Sequence, residues 1–227
     1  MTENRAEIHA PTILAVDTGS PVVSVAVARK GEVLAERQSP SGRSSPGLVP
    51  MIDALLSDVD SEVGELGGIL ALRGPGSFTG LRVGLATCLG LHQALGVPAT
   101  TLTTFEALAA VSPEANLTVM AAVESIRQTW LVQTFRTDLV PDSLGDPRII
   151  STDELAAERV DLIIGFGLGD ISMPANQAFR AAILEPPPLA SHALILQERR
   201  QGEWDSSGLV RPLYLQALSA AQPATAA

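Results

Sequence analysis

The chain has 227 residues, 46% of them hydrophobic and 18% charged, so it carries enough apolar residues for a buried core and is not intrinsically disordered. Its 25 acidic and 15 basic side chains give a net charge of −10, which opposes the binding of RNA by this chain alone. The single cysteine, Cys88, excludes an internal disulfide, and no apolar run reaches the roughly 18 residues of a membrane helix. Because the N-terminus also lacks the pattern of a secretory signal, we expect a cytoplasmic protein that makes no membrane contact.

The first half of the chain predicts a three-stranded meander followed by alternating helices and strands. From Thr12 the sequence TILAVDTGSPVVSVAVARKGEVLAERQ contains three runs rich in Val, Ile and Leu, separated by Gly-Ser-Pro and Arg-Lys-Gly turns. The elements predicted next are a helix over 46–58 with Pro50 in its first turn, a strand over 68–72, a helix over 81–95 ended by Gly96, a strand over 99–103 and a helix over 104–111. This order is typical of an α/β half-domain.

The second half predicts another set of strands and helices. The segments LTVMAAVES and QTWLVQTF form a predicted strand pair around residues 125–127, and an exposed, turn-rich loop follows. Ser151 and Glu154 have the spacing of a capping box before the helix ELAAERV. DLIIGFG predicts a buried strand and PLASHALILQERRQG a last helix, while residues 169–188 receive no assignment.

A glycine-rich loop lies between the strand ending at Leu72 and the following helix. Its sequence, GPGSFTGLR, contains no lysine, so it does not match a P-loop. The helix N-terminus could still attract an anion through its free amides, and the candidate residues for this are Gly74, Gly76, Ser77, Thr79 and Gly80. The alternative is structural: the glycines allow a sharp turn, and Gly84 and Gly90 let another element approach the helix closely.

The turn after the first strand carries an acid and two hydroxyls. Asp17, Thr18 and Ser20 would suit contact with a Mg²⁺-bound phosphate, as in actin-like ATPases. The alternative is that Asp17 organises its own turn. The residues alone leave both interpretations open, because no second acid or adenosine pocket is evident.

Other catalytic patterns are weak. His9, His92 and His192 are scattered and the lone cysteine lies in a predicted helix, so no metal-ligand cluster is visible. The segment Gly74–Phe78 lacks the second half of a G-x-S-x-G nucleophile elbow. These observations disfavour enzyme classes that depend on such sites.

Several segments together resemble the TsaB (YeaZ) family of tRNA threonylcarbamoyladenosine biosynthesis. They are ILAVDTGSPVVSVAV, LVPMIDALL, GPGSFTGLRVGLATCLGL, TTFEALA and the C-terminal RPLYLQ. The resemblance implies an actin/hexokinase/Hsp70-like (ASKHA) α/β fold of two subdomains, the second reduced. We assign 1–11 to an N-terminal extension, 12–112 to the N-terminal subdomain, 113–218 to the smaller C-terminal subdomain and 219–227 to a flexible tail.

The resemblance also bears on catalysis. TsaD, the catalytic relative, has an H-M-E-G-H segment whose two end histidines bind metal, and this segment falls on residues 104–108 here. The two ligand positions are Thr104 and Leu108, so the resemblance implies neither a catalytic residue nor a metal site. The sequence departs from the family pattern at residues 43–46 and 122–127, which leaves local details around Arg43 and Glu124 open.

The resemblance further implies a non-catalytic scaffold that binds TsaD, joins TsaE in a larger complex, contacts tRNA only through that complex and can form a homodimer when alone. No cofactor is expected, although an adenine nucleotide could lie at a subunit junction. The predicted interface is an apolar stripe on two helices, with Val83, Ala86, Gly90 and Ala94 turned to the sheet instead; the alternative is that the whole stripe is core. Its members are Leu48, Met51, Ile52, Leu55, Leu81, Leu85, Cys88, Leu89 and His92.

Two rival functions remain. A stand-alone actin-like ATP-dependent phosphotransferase would bind ATP·Mg²⁺ and turn it over. A metallopeptidase would require metal ligands that the sequence does not supply.

Overall fold

Two β-sheets, A and B, organise the residues that the computed structural model describes, which are 11–40, 44–112, 114–125, 129–166, 168, 188–202 and 204–214. The expected α/β class is confirmed. His9, Arg43, most of the predicted N-terminal extension, residues 169–187 of the unassigned segment and the predicted tail lie outside the described residues.

Sheet A has five strands in the order β3-β2-β1-β4-β5. β1 pairs antiparallel with β2 and parallel with β4, β2 pairs antiparallel with β3, and β4 pairs parallel with β5, so the predicted meander is confirmed. Lys30 and Gly31 both have the positive φ that a type I′ hairpin turn between β2 and β3 requires. The strands are β1 (Thr12–Asp17), β2 (Val22–Arg29), β3 (Glu32–Pro40), β4 (Leu66–Leu72) and β5 (Ala99–Leu102).

Two helices, α1 (Ser44–Ser57) and α2 (Phe78–Leu95), pack on one face of sheet A. α2 begins before the predicted start because the hydroxyl of Ser77 accepts a hydrogen bond from the amide of Gly80. It ends at Gly96, as predicted, where a left-handed backbone forms the cap. α1 also starts earlier than expected, so Pro50 lies in the helix interior rather than its first turn.

Sheet B has the order β10-β6-β7-β8, with β9 paired to β7. The predicted strand pair forms β6 and β7, and the predicted capping box of Ser151 and Glu154 starts α4. β9 was not predicted. The elements are β6 (Thr118–Glu124), β7 (Thr129–Arg136), β8 (Asp142–Ser143), β9 (Arg148–Ser151), α4 (Thr152–Ala157) and β10 (Leu162–Phe166).

The remaining helices, α3 (Thr104–Ala109) and α5 (Leu189–Arg200), share one hydrophobic core with residues of both sheets. α5 lies across β1, β2 and β3, although it belongs to the predicted second subdomain. The C-terminal segment 204–214 also returns to sheet A, where Leu209 joins the core beneath α1 and α2. The proposed boundary at residue 112 therefore separates the two sheets but not the elements that cover them.

None of the helices in the described ranges combines the length and the apolar character that crossing a membrane demands.

Candidate functional site

The turn after β1 and the glycine-rich loop before α2 are held together by direct contacts. The hydroxyl of Thr18 donates to the carbonyl of Gly80 at 2.7 Å, and the amide of Ser77 donates to the carbonyl of Gly19, also at 2.7 Å. Thr18 is almost completely buried. The two loops that looked like separate phosphate-binding candidates thus form one packed unit at the carboxyl ends of β1 and β4.

Close packing explains three of the glycines. A Cβ atom at Gly76 would overlap the carbonyl of Gly19, one at Gly80 would overlap the carbonyl of Thr18, and one at Gly84 would overlap the hydroxyl of Thr18. The space above these glycines is therefore occupied by the chain itself. The side chains of the other loop candidates, Ser77 and Thr79, are exposed.

Gly74 meets a different part of the molecule. Its φ of +103° is one that side-chain-bearing residues rarely adopt, and a Cβ there would lie 2.9 Å from the carbonyl oxygen of Leu213. The structure thus favours the structural interpretation of the loop glycines. A nucleotide at this loop stays a prediction.

Asp17 is fully buried at the end of β1. Its Oδ1 accepts hydrogen bonds from the amides of Gly19 at 3.0 Å and Ser20 at 3.3 Å, so it does organise its own turn. Within the described residues, its Oδ2 and the hydroxyls of Ser20 and Thr104 are buried without a hydrogen-bond partner. Burial raises the pKa of Asp17 to about 6, against the lowering effect of the hydrogen bonds from Ser20 and Gly19.

The raised pKa makes a prediction for stability. Because the folded-state pKa of about 6 exceeds the ordinary value of 3.8, the contribution of Asp17 to stability is fully present below about pH 3.8 and is lost as the pH rises through 6. A shift of about two units corresponds to about 3 kcal/mol. We expect Asp17→Asn to raise the free energy of unfolding by up to this amount at pH 7.5 and to have little effect at pH 4, measured by urea denaturation.

The control for this prediction is Asp53→Asn, which removes an exposed carboxylate from α1. We expect it to leave the pH profile of the wild type unchanged. A stabilisation by Asp17→Asn of the same size at pH 4 and pH 7.5 would contradict ionisation of Asp17 as the cause.

The prediction of which face of α2 points outward was wrong. Leu81, Leu85 and Cys88 are buried against sheet A, whereas Ala86, Gly90 and Ala94, which were expected to meet the sheet, are exposed. The long side chains face inward because only they fill the space above β4. Six of the nine predicted interface residues are therefore core residues of this chain: Leu48, Ile52, Leu55, Leu81, Leu85 and Cys88.

The other three predicted interface residues, Met51, Leu89 and His92, are half-buried. His92 is held in place, since its Nδ1 lies 2.7 Å from the carbonyl oxygen of Val97. What remains for a partner is the side of the two helices turned away from sheet A. We call it the outer face of α1 and α2; its exposed residues include Val49, Pro50, Asp53, Ala86, Gly90, Gln93 and Ala94. Val83, by contrast, packs against the core, as expected.

An exposed aromatic group lies where α2 begins. The ring of Phe78 is 5.0 Å from the ring of Tyr214, and the guanidinium of Arg82 lies over Phe78 at 3.7 Å from the ring centroid. Phe78 is 47% exposed and Tyr214 is 36% exposed. This group was not predicted, because Tyr214 is distant in sequence from Phe78; the sequence signal for it was the C-terminal RPLYLQ segment.

Thr104 and Leu108, where the resemblance to TsaD implies the positions of that protein's metal ligands, are both fully buried on α3. His192 lies elsewhere, on α5, with its Nδ1 3.0 Å from the carbonyl oxygen of Pro188. Among the described residues, no three His, Cys, Asp or Glu side chains come together as a metal site would require.

Comparisons with known proteins give sequence relatives for about half of the chain. Residues 40–129 match the family model described as TsaD, tRNA N6-adenosine threonylcarbamoyltransferase. The chain is 34% identical over 100 residues to the tRNA threonylcarbamoyladenosine biosynthesis protein TsaB of Bacillus subtilis, covering 44% of each chain. It is 29% identical over 115 residues to TsaB of Escherichia coli, covering 50% of each. The chain thus spans about half the length of the curated relatives it matches.

Solved structures extend the likeness in fold to most of the chain. YeaZ from Pseudomonas aeruginosa superposes with a TM-score of 0.75 at 23% identity, covering 90% of this chain and 100% of that one. A second structure, described as an uncharacterized protein with similarity to peptidase YEAZ from Pseudomonas aeruginosa, has a TM-score of 0.77 at 24% identity, covering 91% and 100%. These likenesses support the expected fold. The sequence relatives support the resemblance of this chain to the TsaB (YeaZ) family.

Proposed function

We propose that this chain acts in tRNA threonylcarbamoyladenosine biosynthesis as a non-catalytic subunit that binds and stabilises a TsaD-type threonylcarbamoyltransferase. TsaD would transfer the threonylcarbamoyl group from its adenylate to adenosine 37 of tRNAs that read codons starting with A. TsaE would join the larger complex, and tRNA would be contacted only through it. The relatives in Bacillus subtilis and Escherichia coli, both named as TsaB proteins of tRNA threonylcarbamoyladenosine biosynthesis, support a role in this pathway.

The observation that carries the proposal is the outer face of α1 and α2. Most of its side chains are small or apolar, yet it lies on the side of the helices that sheet A leaves uncovered. Ala86, Gly90 and Ala94 are spaced four residues apart, which aligns them in one row along α2. A row without bulky side chains lets a partner helix approach closely, so this face suits helix-on-helix association.

The non-catalytic part of the proposal rests on α3. The resemblance to TsaD would require metal ligands at residues 104 and 108. These positions hold the hydroxyl of Thr104, which has no hydrogen-bond partner among the described residues, and the alkyl side chain of Leu108. A threonine hydroxyl is a weak ligand for a transition metal and leucine is none. We therefore expect the partner to supply the metal chemistry.

The test is calorimetric titration of the full chain with the TsaD of the same organism. We expect Ala86→Gln, which places a long neutral side chain on the outer face, to weaken binding at least about tenfold, or about 1.4 kcal/mol. The matched control is Ala157→Gln, an exposed alanine on α4 beyond sheet B. Binding unaffected by Ala86→Gln, or absence of binding by the wild type, would contradict the proposal.

Titration with ATP·Mg²⁺ distinguishes the proposal from the rival phosphotransferase. The scaffold predicts that the isolated chain does not turn over ATP, and that tRNA modification requires TsaD. Turnover by the purified chain would support the phosphotransferase instead. If a nucleotide binds only after TsaD is added, its site lies at the subunit junction. The mass of the free chain in solution shows whether the chain forms a homodimer.

A further inference from the structure

The aromatic group at the start of α2 is built from three side chains that the proposed scaffold role has not used. We call Phe78, Arg82 and Tyr214 the aromatic–arginine stack. We infer that this stack is the charged anchor of the partner-binding surface and that it takes an acidic segment of the TsaD-type partner. The inference rests on the proposed function, since it assigns chemistry to one end of the same surface.

The exposure of the stack is the first argument. Phe78 is 47% exposed and Tyr214 is 36% exposed, so both residues leave part of an aromatic side chain in water. Tyrosine and arginine are also enriched among the few residues that dominate the energy of protein–protein interfaces. The stack therefore has the composition and the exposure of an interface anchor.

Charge is the second argument. Within the described part of the chain, the guanidinium of Arg82 contacts the ring of Phe78 but forms no ion pair. Arg73 lies close by, since its carbonyl accepts a hydrogen bond from the amide of Leu213, next to Tyr214. Arg211 precedes Tyr214 by three residues, and its positive charge is partly offset by Asp205. A positive patch centred on the unpaired Arg82, on a chain of net charge −10, fits an acidic partner segment.

The geometry favours a protein over RNA as the occupant. Arg82 covers one side of the Phe78 ring, and Tyr214 is tilted by 39° against that ring. A nucleobase would need a free, parallel ring face on which to stack. The net charge of −10 also opposes the approach of a long polyanion.

Continuity with the outer face is the fourth argument. Phe78, Arg82, Ala86, Gly90 and Ala94 follow one another at intervals of four residues, and all five are exposed. They form one ridge along α2, with bulky residues at the N-terminal end of the helix and small residues along the rest. A partner helix seated on the small residues would place its neighbouring segment against Arg82.

The experiment is titration of the full chain with the TsaD of the same organism, at 50 and 300 mM NaCl. We expect Arg82→Glu to weaken binding at least about tenfold at low salt and to reduce the salt dependence of the affinity. Arg82→Lys should lose only a few-fold because it keeps the charge, and Phe78→Ala about tenfold. The matched control is Arg159→Glu, which makes the same change in net charge at an exposed site beyond sheet B.

The outcomes separate this inference from the proposed function. If Arg82→Glu binds TsaD as tightly as Arg159→Glu does while Ala86→Gln still weakens the complex, the anchor is overturned and the scaffold role stands. Loss of tRNA binding by Arg82→Glu without loss of TsaD binding would assign the stack to RNA and overturn the inference. A wild-type chain that binds no TsaD would overturn both. Thermal denaturation checks that each variant is folded.

Discussion

Leu85→Glu is expected to unfold the chain, whereas Ala86→Glu, at the next position, is expected to leave it folded. Leu85 is 4% exposed in the core beneath α2, and Ala86 is exposed on the outer face. Removing a buried leucine costs about 2–5 kcal/mol, and an unpaired buried carboxylate adds several more, which approaches the whole stability of a domain. Circular dichroism and urea denaturation of both variants measure the difference.

The contrast matters because Leu85 belongs to the predicted interface, so Leu85→Glu would be an obvious variant for disrupting partner binding. A failure of Leu85→Glu to bind a partner would report unfolding rather than a lost contact. A folded Leu85→Glu variant, with a melting temperature near that of Ala86→Glu, would show that Leu85 is not a core residue and would contradict the orientation of α2 described above.

Gly80→Ala is expected to lower the free energy of unfolding by about 4 kcal/mol, while Gly90→Ala, in the same helix, is expected to raise it by about 0.5–1 kcal/mol. A methyl group at Gly80 would overlap the carbonyl oxygen of Thr18, and backbone cannot move aside as a flexible side chain can. Overpacking costs about 1–3 kcal/mol or more, and loss of the hydrogen bond from Thr18 to Gly80 adds about 1. Gly90 has open space around it, so alanine only improves helix propensity.

Urea denaturation of the two alanine variants tests this pair directly. The same substitution in the same helix controls for propensity, so the difference between the variants isolates the close approach of the β1–β2 turn. Equal stability of Gly80→Ala and Gly90→Ala would mean that the loop does not pack against that turn, and it would reopen the phosphate-binding interpretation of the glycines.

Local signals in the sequence predicted most of the secondary structure. Runs rich in Val, Ile and Leu marked the strands of the meander, Gly96 marked the end of α2, and Ser151 with Glu154 marked the start of α4. These features act within a few residues of one another, so they can be recognised without knowledge of the tertiary structure. β9 escaped prediction because a short edge strand is defined by its partner β7 rather than by its own sequence.

The candidate site was only partly predictable. Asp17, Thr18 and the loop glycines were identified from their residue types, but their mutual packing depends on contacts such as that between Thr18 and Gly80, 62 positions apart. The stack of Phe78 and Tyr214 spans a still longer separation in sequence. No local pattern encodes such a pairing.

By itself the sequence determined the α/β class, the order of most elements and the likeness to the TsaB (YeaZ) family, because these depend on local periodicity, caps and motifs. The tertiary structure alone decided which side of α2 is buried. Both faces of that helix carry apolar residues, so periodicity could not choose between them. The choice followed from volume: Leu81, Leu85 and Cys88 fill the space above sheet A, and the small side chains of Ala86, Gly90 and Ala94 are left outside.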